Sequence, residues 1–337
     1  MSGTALERSH PTRGYAIALA AAAILSTTAI FIRYLTVRYG IPALVLAVWR
    51  DAFVCLTLLP VLAAFRPDLL AVDRKHVAYL AFYGLMLAAF NATWTLSVAL
   101  NGAAVATVLV YCSAAFTALL GRWLLAERLG WGKLAAVALS LSGCALVSGA
   151  FDPSAWRANL TAIATGVLSG LCYAGYSLMG RAASQRGLDP WTTVLVVFGF
   201  ASALLLAVNL GLAGLVPGAA ARPADLLWLG RAWRGWAVLV LLAAGPTVAG
   251  FGLYNVSLGY LPSSVANLVV STEPVLTAAT AYVLFGERLT AVQLAGSAMI
   301  MGAVALLRVW EAWRERRTGD PDAGRGPSPP GDAAPVC

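Results

Sequence analysis

Ten apolar blocks of about twenty residues, nearly free of charge, follow one another along this chain, and each is long enough to cross a bilayer core about 30 Å thick as a helix. A chain that is 60% hydrophobic and 11% charged, with mean hydropathy +0.78, has too little polar surface to cover such blocks in water. The blocks read as spans at 14–36, 42–65, 77–100, 103–125, 131–150, 159–180, 190–214, 236–259, 263–285 and 291–309. The fold class expected is therefore an all-α membrane protein of ten transmembrane helices.

No segment between the spans can form a second folded unit; the longest loop, about 215–235, is rich in Trp, Arg and Pro. The organisation expected is a cytoplasmic segment at 1–13, five helices in 14–150, five more in 151–310 and a cytoplasmic tail at 311–337. From about residue 318 that tail is rich in Gly, Pro and Asp, too poor in large apolar groups to offset the entropy of ordering. The first block is longer than the apolar core of a signal peptide and nine spans follow it, so it is read as a retained helix.

A net charge of +8 would suggest nucleic acid in a soluble protein, but here the basic residues sort by membrane side. Fifteen Arg and Lys fall on the N-terminal side and seven on the other, with Arg50 inside a span. Both termini are thus expected in the cytoplasm of a bacterial inner membrane, with lipid and a small-molecule substrate as partners and no nucleic acid. Four of five cysteines lie in apolar spans without ligand spacing, and the two histidines, His10 and His76, lie near loops. Neither a metal nor another cofactor is expected. Oligomeric state is silent, because lipid-facing surfaces look alike in a monomer and a dimer.

A shift of 160 residues aligns the two halves without a gap from about 94 to 147. Trp94 meets Tyr254, Ser97 meets Ser257, Val105-Ala106 meets Val265-Ala266, and Glu127-Arg128-Leu129 meets Glu287-Arg288-Leu289. Five helices per half is an odd number, so the second copy enters from the opposite face. Inverted repeats of this kind bind substrate near the midplane, where the halves meet around a central cavity.

The repeated "ERL" turn, with "STEPVLTAATAYVLFGERLT" at 271–290 and "CSAAFTALLGRWLLAERLG" at 112–130, resembles the EamA-type signature of the drug/metabolite transporter superfamily. The first copy departs from it, carrying Ser113-Ala114 in place of Glu-Pro. The resemblance covers roughly 14–309 and implies an exporter of amino acids or other small metabolites. The Trp and Tyr content adds an expectation of the aromatic amino-acid exporter branch. The sugar-phosphate branch uses basic groups in its central cavity, whereas the two lysines here, Lys75 and Lys133, sit at loops. Nucleosides, sugars and cationic compounds remain alternative cargoes.

Polar groups inside a span are the natural site candidates, although many serve as contacts between helices. Thr107 and Tyr111 share one helix face, as do their mates Asn267 and Ser271. Asn91 stands one turn before Trp94, and Asn255 is adjacent to Tyr254. Tyr173, Tyr176 and Ser177 share a face of the sixth helix; the first helix answers with Ser26, Thr27 and Thr28. Asn91, Trp94, Tyr111, Tyr173, Tyr176, Tyr254, Asn255, Asn267 and Ser271 are the expected substrate-binding set, an aromatic-walled cavity for an amphipathic solute. The competing reading places Trp94 and Tyr254, each six residues from a helix end, in an interfacial aromatic belt.

Glu273 sits about ten residues into its span, near the midplane by the usual helical rise. A carboxylate is costly to keep charged there, which makes Glu273 a candidate proton carrier or counter-charge for a substrate amine. Pro274 removes the donor for the Val270 carbonyl and, with Gly245-Pro246, supplies expected hinges at Pro246 and Pro274. Arg50 and Asp51 diverge by about 100° on a helix, so they are not expected to pair directly, and a structural role is favoured. Gly166 and Gly170 read as close packing, and the two Glu-Arg turns as helix-terminus anchors.

No G-x-x-x-x-G-K-[ST] loop is present, so ATP is not the expected energy source and an ion such as the proton is a possible couple. Without an H-E-x-x-H or G-x-S-x-G pattern, an embedded enzyme is the weaker reading, as is a channel.

Overall fold

A computed structural model describes residues 11–113, 116–117, 120, 131–148, 153–212, 214–261, 266, 269–270 and 272–318. Among them there is no strand, and ten helical segments follow the order of the ten apolar blocks. They are α1 (Pro11–Tyr39), α2 (Ala43–Phe65), α3 (Arg74–Asn101), α4 (Ala103–Val110), α5 (Trp131–Ser148), α6 (Pro153–Gln185), α7 (Pro190–Gly211), α8 (Trp233–Tyr260), α9 (Glu273–Phe285) and α10 (Ala291–Thr318). Six of these runs are long and apolar enough to cross a membrane. Large apolar side chains such as Leu59, Phe82, Leu85 and Val283 stand exposed, as lipid-facing groups do. The chain is an integral membrane protein.

Local chemistry sets the ends. Asp189 caps α7 by accepting from the Trp191 and Thr192 amides at 2.8 and 3.2 Å, and Pro190 fills the first turn, where no donor is missed. Asp73 caps α3 through the Lys75 amide. Gly286 ends α9 at φ 68°, a left-handed position that glycine adopts without strain. The loop between α7 and α8 is anchored by two tryptophan hydrogen bonds: its own Trp228 Nε1 donates to the Tyr39 carbonyl at 3.0 Å, and Trp49 Nε1 on α2 donates to the loop's Leu226 carbonyl at 2.6 Å.

Packing obeys the exchange of each helix with the one five places on. The pairs α2–α7, α4–α9 and α5–α10 pack on themselves under that exchange. Contact of α3 with α6 is answered by α8 with α1, α1 with α9 by α6 with α4, and α3 with α7 by α8 with α2. This is the contact pattern of two five-helix halves around a pseudo-twofold axis. Helix termini repeat it too. Arg33 on α1 donates to the Ala99 carbonyl at the end of α3, and Arg181 on α6 donates to the Leu258 and Leu261 carbonyls at the end of α8.

Three features differ from the sequence reading. The helix expected across 103–125 is interrupted after Val110 by a turn at Tyr111–Cys112, with 113, 116–117 and 120 helical again, and the one expected across 263–285, helical at 266 and 269–270, restarts at Glu273 after a turn at Thr272. The two breaks coincide under the repeat: Cys112 N donates to Leu109 O and Thr272 N to Val269 O, both tight i to i−3 bonds. Pro274 explains the second break; hydrophobicity alone could not register either. Helix α10 runs on to Thr318, so the start of the expected tail is helical, because "EAWRERRT" continues a helix-forming pattern without Gly or Pro. Third, Arg50 and Asp51 pair directly, with Nε 3.2 Å from Oδ1.

Candidate functional site

The two breaks face one cavity between the halves. Its walls are Leu25 and Thr28 from α1, Phe90 and Trp94 from α3, Val110 and Tyr111 at the end of α4, Tyr173 from α6, Phe251 and Tyr254 from α8, and Glu273 at the start of α9. The space between these walls, with the open solvent beyond its mouth included, is about 420 Å³. Five expected residues thus meet here: Trp94, Tyr111, Tyr173, Tyr254 and Glu273. Trp94 and Tyr254 are buried at 5% and 0% exposure, inside the protein and not at its rim, which removes the interfacial-belt reading.

The aromatic wall is a continuous stack. Phe90 and Trp94 rings lie 6.0 Å apart at 23°, Tyr173 and Tyr254 6.1 Å apart at 30°, and Tyr173 and Tyr176 6.4 Å apart at 9°. Tyr176 and Asn255 stand behind that wall and hold it: Asn255 Nδ2 donates to the Tyr176 hydroxyl at 3.0 Å, while the Tyr254 hydroxyl donates to Ser177 Oγ at 2.9 Å. Asn91 turns away from the cavity, and its Nδ2 donates to both Asp51 carboxylate oxygens at 2.9 and 2.8 Å. Asn267 and Ser271 lie outside the described residues, as do Glu127 and Arg128.

Glu273 is the one carboxylate among the described residues that line the cavity, 8% exposed, at the first turn of α9. The Tyr111 hydroxyl reaches it across the two halves, 2.8 Å from Oε2 and 2.7 Å from the Val270 carbonyl. That carbonyl is the one Pro274 deprives of a helical donor. A tyrosine hydroxyl has a single proton, so it cannot donate to both acceptors at once. Donation to the Val270 carbonyl leaves the hydroxyl oxygen to accept from a protonated Glu273; an ionised Glu273 draws the proton away from the carbonyl. The charge state of Glu273 and the hydrogen bonding of the α9 break are therefore linked.

Pro246 lies in a π-helical turn, Ala243–Ala249, within α8. The Leu242 carbonyl, deprived of its donor by the proline, accepts instead from Thr247 Oγ1 at 2.8 Å. Gly166 and Gly170 pack α6 against α4, where a methyl group at Gly166 would overlap Leu109. Glu287 anchors a helix terminus as expected: it takes Arg33 Nε at 3.0 Å and the Ala103 and Ala104 amides at 3.4 and 3.2 Å, capping α4.

Sequence reasoning missed Leu25, Phe90, Val110 and Phe251 as wall residues. Thr28 stands in the polar stripe read on the first helix, whereas these apolar side chains carry no sequence signal that separates them from core. Among the described residues no group of His, Cys, Asp and Glu is placed to hold a metal ion.

The profile of the EamA-like transporter family matches residues 12–149 and again 160–309. An uncharacterized transporter of Archaeoglobus fulgidus is 27% identical over 303 residues, 90% of this chain and 97% of that one. The threonine/homoserine exporter RhtA of Salmonella typhimurium is 26% identical over 253 residues (72% of this chain, 75% of RhtA), and that of Escherichia coli K12 is 27% identical over 258 residues. A solved crystal structure at 16% identity superposes with a TM-score of 0.59, covering 89% of this chain and 98% of that one, and so shares the fold. With the family profile matching most of its length, once in each half, the chain belongs to the EamA-like transporter family, within the drug/metabolite transporter superfamily.

Proposed function

We propose that this transporter exports small neutral amino acids across a bacterial inner membrane by alternating access. The residues at 14–150 and 151–310 would rock against each other around the central cavity. One observation carries the cargo class: a buried carboxylate, Glu273, faces a cage of Phe90, Trp94, Tyr173, Phe251 and Tyr254. Aromatic faces and a carboxylate together suit an ammonium group, and the apolar remainder suits a neutral side chain. The relatives named as threonine/homoserine exporters support the same class, and the stacked rings leave aromatic amino acids within it.

In this reading Glu273 exchanges a proton for the substrate ammonium, and the Tyr111 proton follows it between Glu273 and the Val270 carbonyl. The α9 break and the π turn at Pro246 absorb the rocking. Both termini face the cytoplasm, in keeping with the bias of Arg and Lys toward that side.

The test is counterflow in proteoliposomes preloaded with mixed unlabelled neutral amino acids. Labelled threonine and phenylalanine are added outside, with and without a pH gradient. Saturable uptake that depends on the preload is the expected result, and the more strongly accumulated label defines the subclass. Folded protein that moves neither label overturns the amino-acid assignment.

A further inference from the structure

Behind Trp94 lies a charged cluster that the cavity walls do not include. Arg50 and Asp51 on α2 are 1% and 0% exposed. Asp51 is well satisfied, taking Arg50 Nε at 3.2 Å and Asn91 Nδ2 at 2.9 and 2.8 Å on its two oxygens. The guanidinium is not. Neither Nη1 nor Nη2 has an acceptor among the described residues, and Asn91 Oδ1 likewise has no donor there. The guanidinium carbon lies 5.9 Å from the centre of the Trp94 ring, and that ring is cavity wall.

A purely structural pair that ties α2 to α3 explains Nε and Asp51 but leaves the terminal fork idle in a low-dielectric interior, where unmade bonds to a charged donor are costly. Two parallel Nη donors match a carboxylate in a bidentate geometry that few other groups share. Asp51, itself held by Asn91, fixes the guanidinium at Nε, as a positioning residue does for a binding group. Each charge of a zwitterion then meets its opposite, the ammonium at Glu273 and the carboxylate at Arg50, although Asp51 leaves the site with one net negative charge.

We propose that Arg50 is the carboxylate-binding arm of the transport site, reached from the cavity when the Trp94 indole swings aside. The substrate ammonium then lies toward Glu273 and its carboxylate toward the Arg50 fork, so Trp94 is both wall and gate. This assignment rests on the amino-acid reading given above and names how that substrate is held.

The test compares two ligands that differ in the carboxylate alone, L-threonine and its carboxamide, by tryptophan fluorescence titration of the purified full chain. The wild-type protein is expected to prefer threonine by about 10- to 100-fold, the worth of hydrogen bonds to a charged group. R50Q is expected to erase that preference by weakening threonine while leaving the carboxamide unchanged, and R50K to restore part of it. If R50Q fails to fold because Asp51 is left unpaired, R50Q/D51N removes both charges and is read the same way. Equal losses for both ligands, or a preference that survives in R50Q, overturn the assignment. Equal wild-type affinity for the two overturns it too, while leaving the amino-acid class in place; binding of neither this pair nor phenylalanine and its carboxamide overturns both.

Discussion

The two halves break their central helix at the same register and fill the break with different chemistry. In the second half the break is built into the chain by Pro274, and the residue before it is the buried carboxylate Glu273. In the first half Ser113-Ala114 stands where the second has Glu-Pro, yet the turn at Tyr111–Cys112 closes with the same tight i to i−3 bond. Tyr111 then crosses to the other half and serves both the carboxylate and the carbonyl that the proline orphaned. One half thus supplies the titratable group and the other its donor. Duplication gave the geometry twice; the chemistry is divided, and it works only when the halves are apposed.

That division orders the expected effects of mutation. The largest follows Glu273→Gln, which removes the charge and keeps the shape: counterflow should fall by about 10- to 100-fold, the loss of a charge-assisted contact. The pH dependence of the remaining rate should flatten. Tyr111→Phe takes the donor from the first half and with it the one proton that Glu273 and the Val270 carbonyl share, so the detergent-solubilised protein should lose about 1–3 kcal/mol by thermal denaturation. Its rate should also lose pH dependence, which a packing defect alone would not produce.

Glu287→Gln tests the periphery of the same apposition. It weakens the Arg33 pair and the cap on α4, at a cost of about 0.5–2 kcal/mol in stability. Substrate affinity should be unaltered, since Glu287 lies outside the cavity walls. The smallest effect belongs to Pro274→Ala, which returns an amide donor to Val270. Thermal stability should rise by less than about 1 kcal/mol, because a proline in a first turn is already tolerated. Counterflow should nevertheless slow as the break stiffens, making the second half rely less on Tyr111. A double variant with Tyr111→Phe should then lose less stability than Tyr111→Phe alone.

How much of this was legible in the sequence follows from what each feature needs. Ten apolar blocks and a 160-residue repeat are one-dimensional patterns, so the helical membrane fold and the paired halves could be read directly. Glu273, Trp94, Tyr111, Tyr173 and Tyr254 were legible because polar and amphipathic groups inside a span are rare and the repeat aligns several of them. The break at Tyr111–Cys112 was not, because no proline marks it and both sides are apolar. Asn91 and Asn255 looked like wall residues by spacing, but spacing fixes a face and not a partner. Asp51 and the Tyr176 hydroxyl, on other helices, claim them. The direct pairing of Arg50 with Asp51 escaped for a related reason: an arginine side chain is long enough to bend across the 100° between neighbours. Phe90 and Phe251 could not be told from core by any local signal.

The most direct test of Glu273 as the charged centre of the transport site is side-by-side counterflow in proteoliposomes by the wild type, Glu273→Gln and Glu287→Gln, with labelled threonine and phenylalanine. A cavity centred on Glu273 requires saturable uptake by the wild type and by Glu287→Gln, and little by Glu273→Gln that remains folded. Wild-type rates in folded Glu273→Gln, with an unchanged pH profile, would contradict it and reduce the carboxylate to a support for the broken helix.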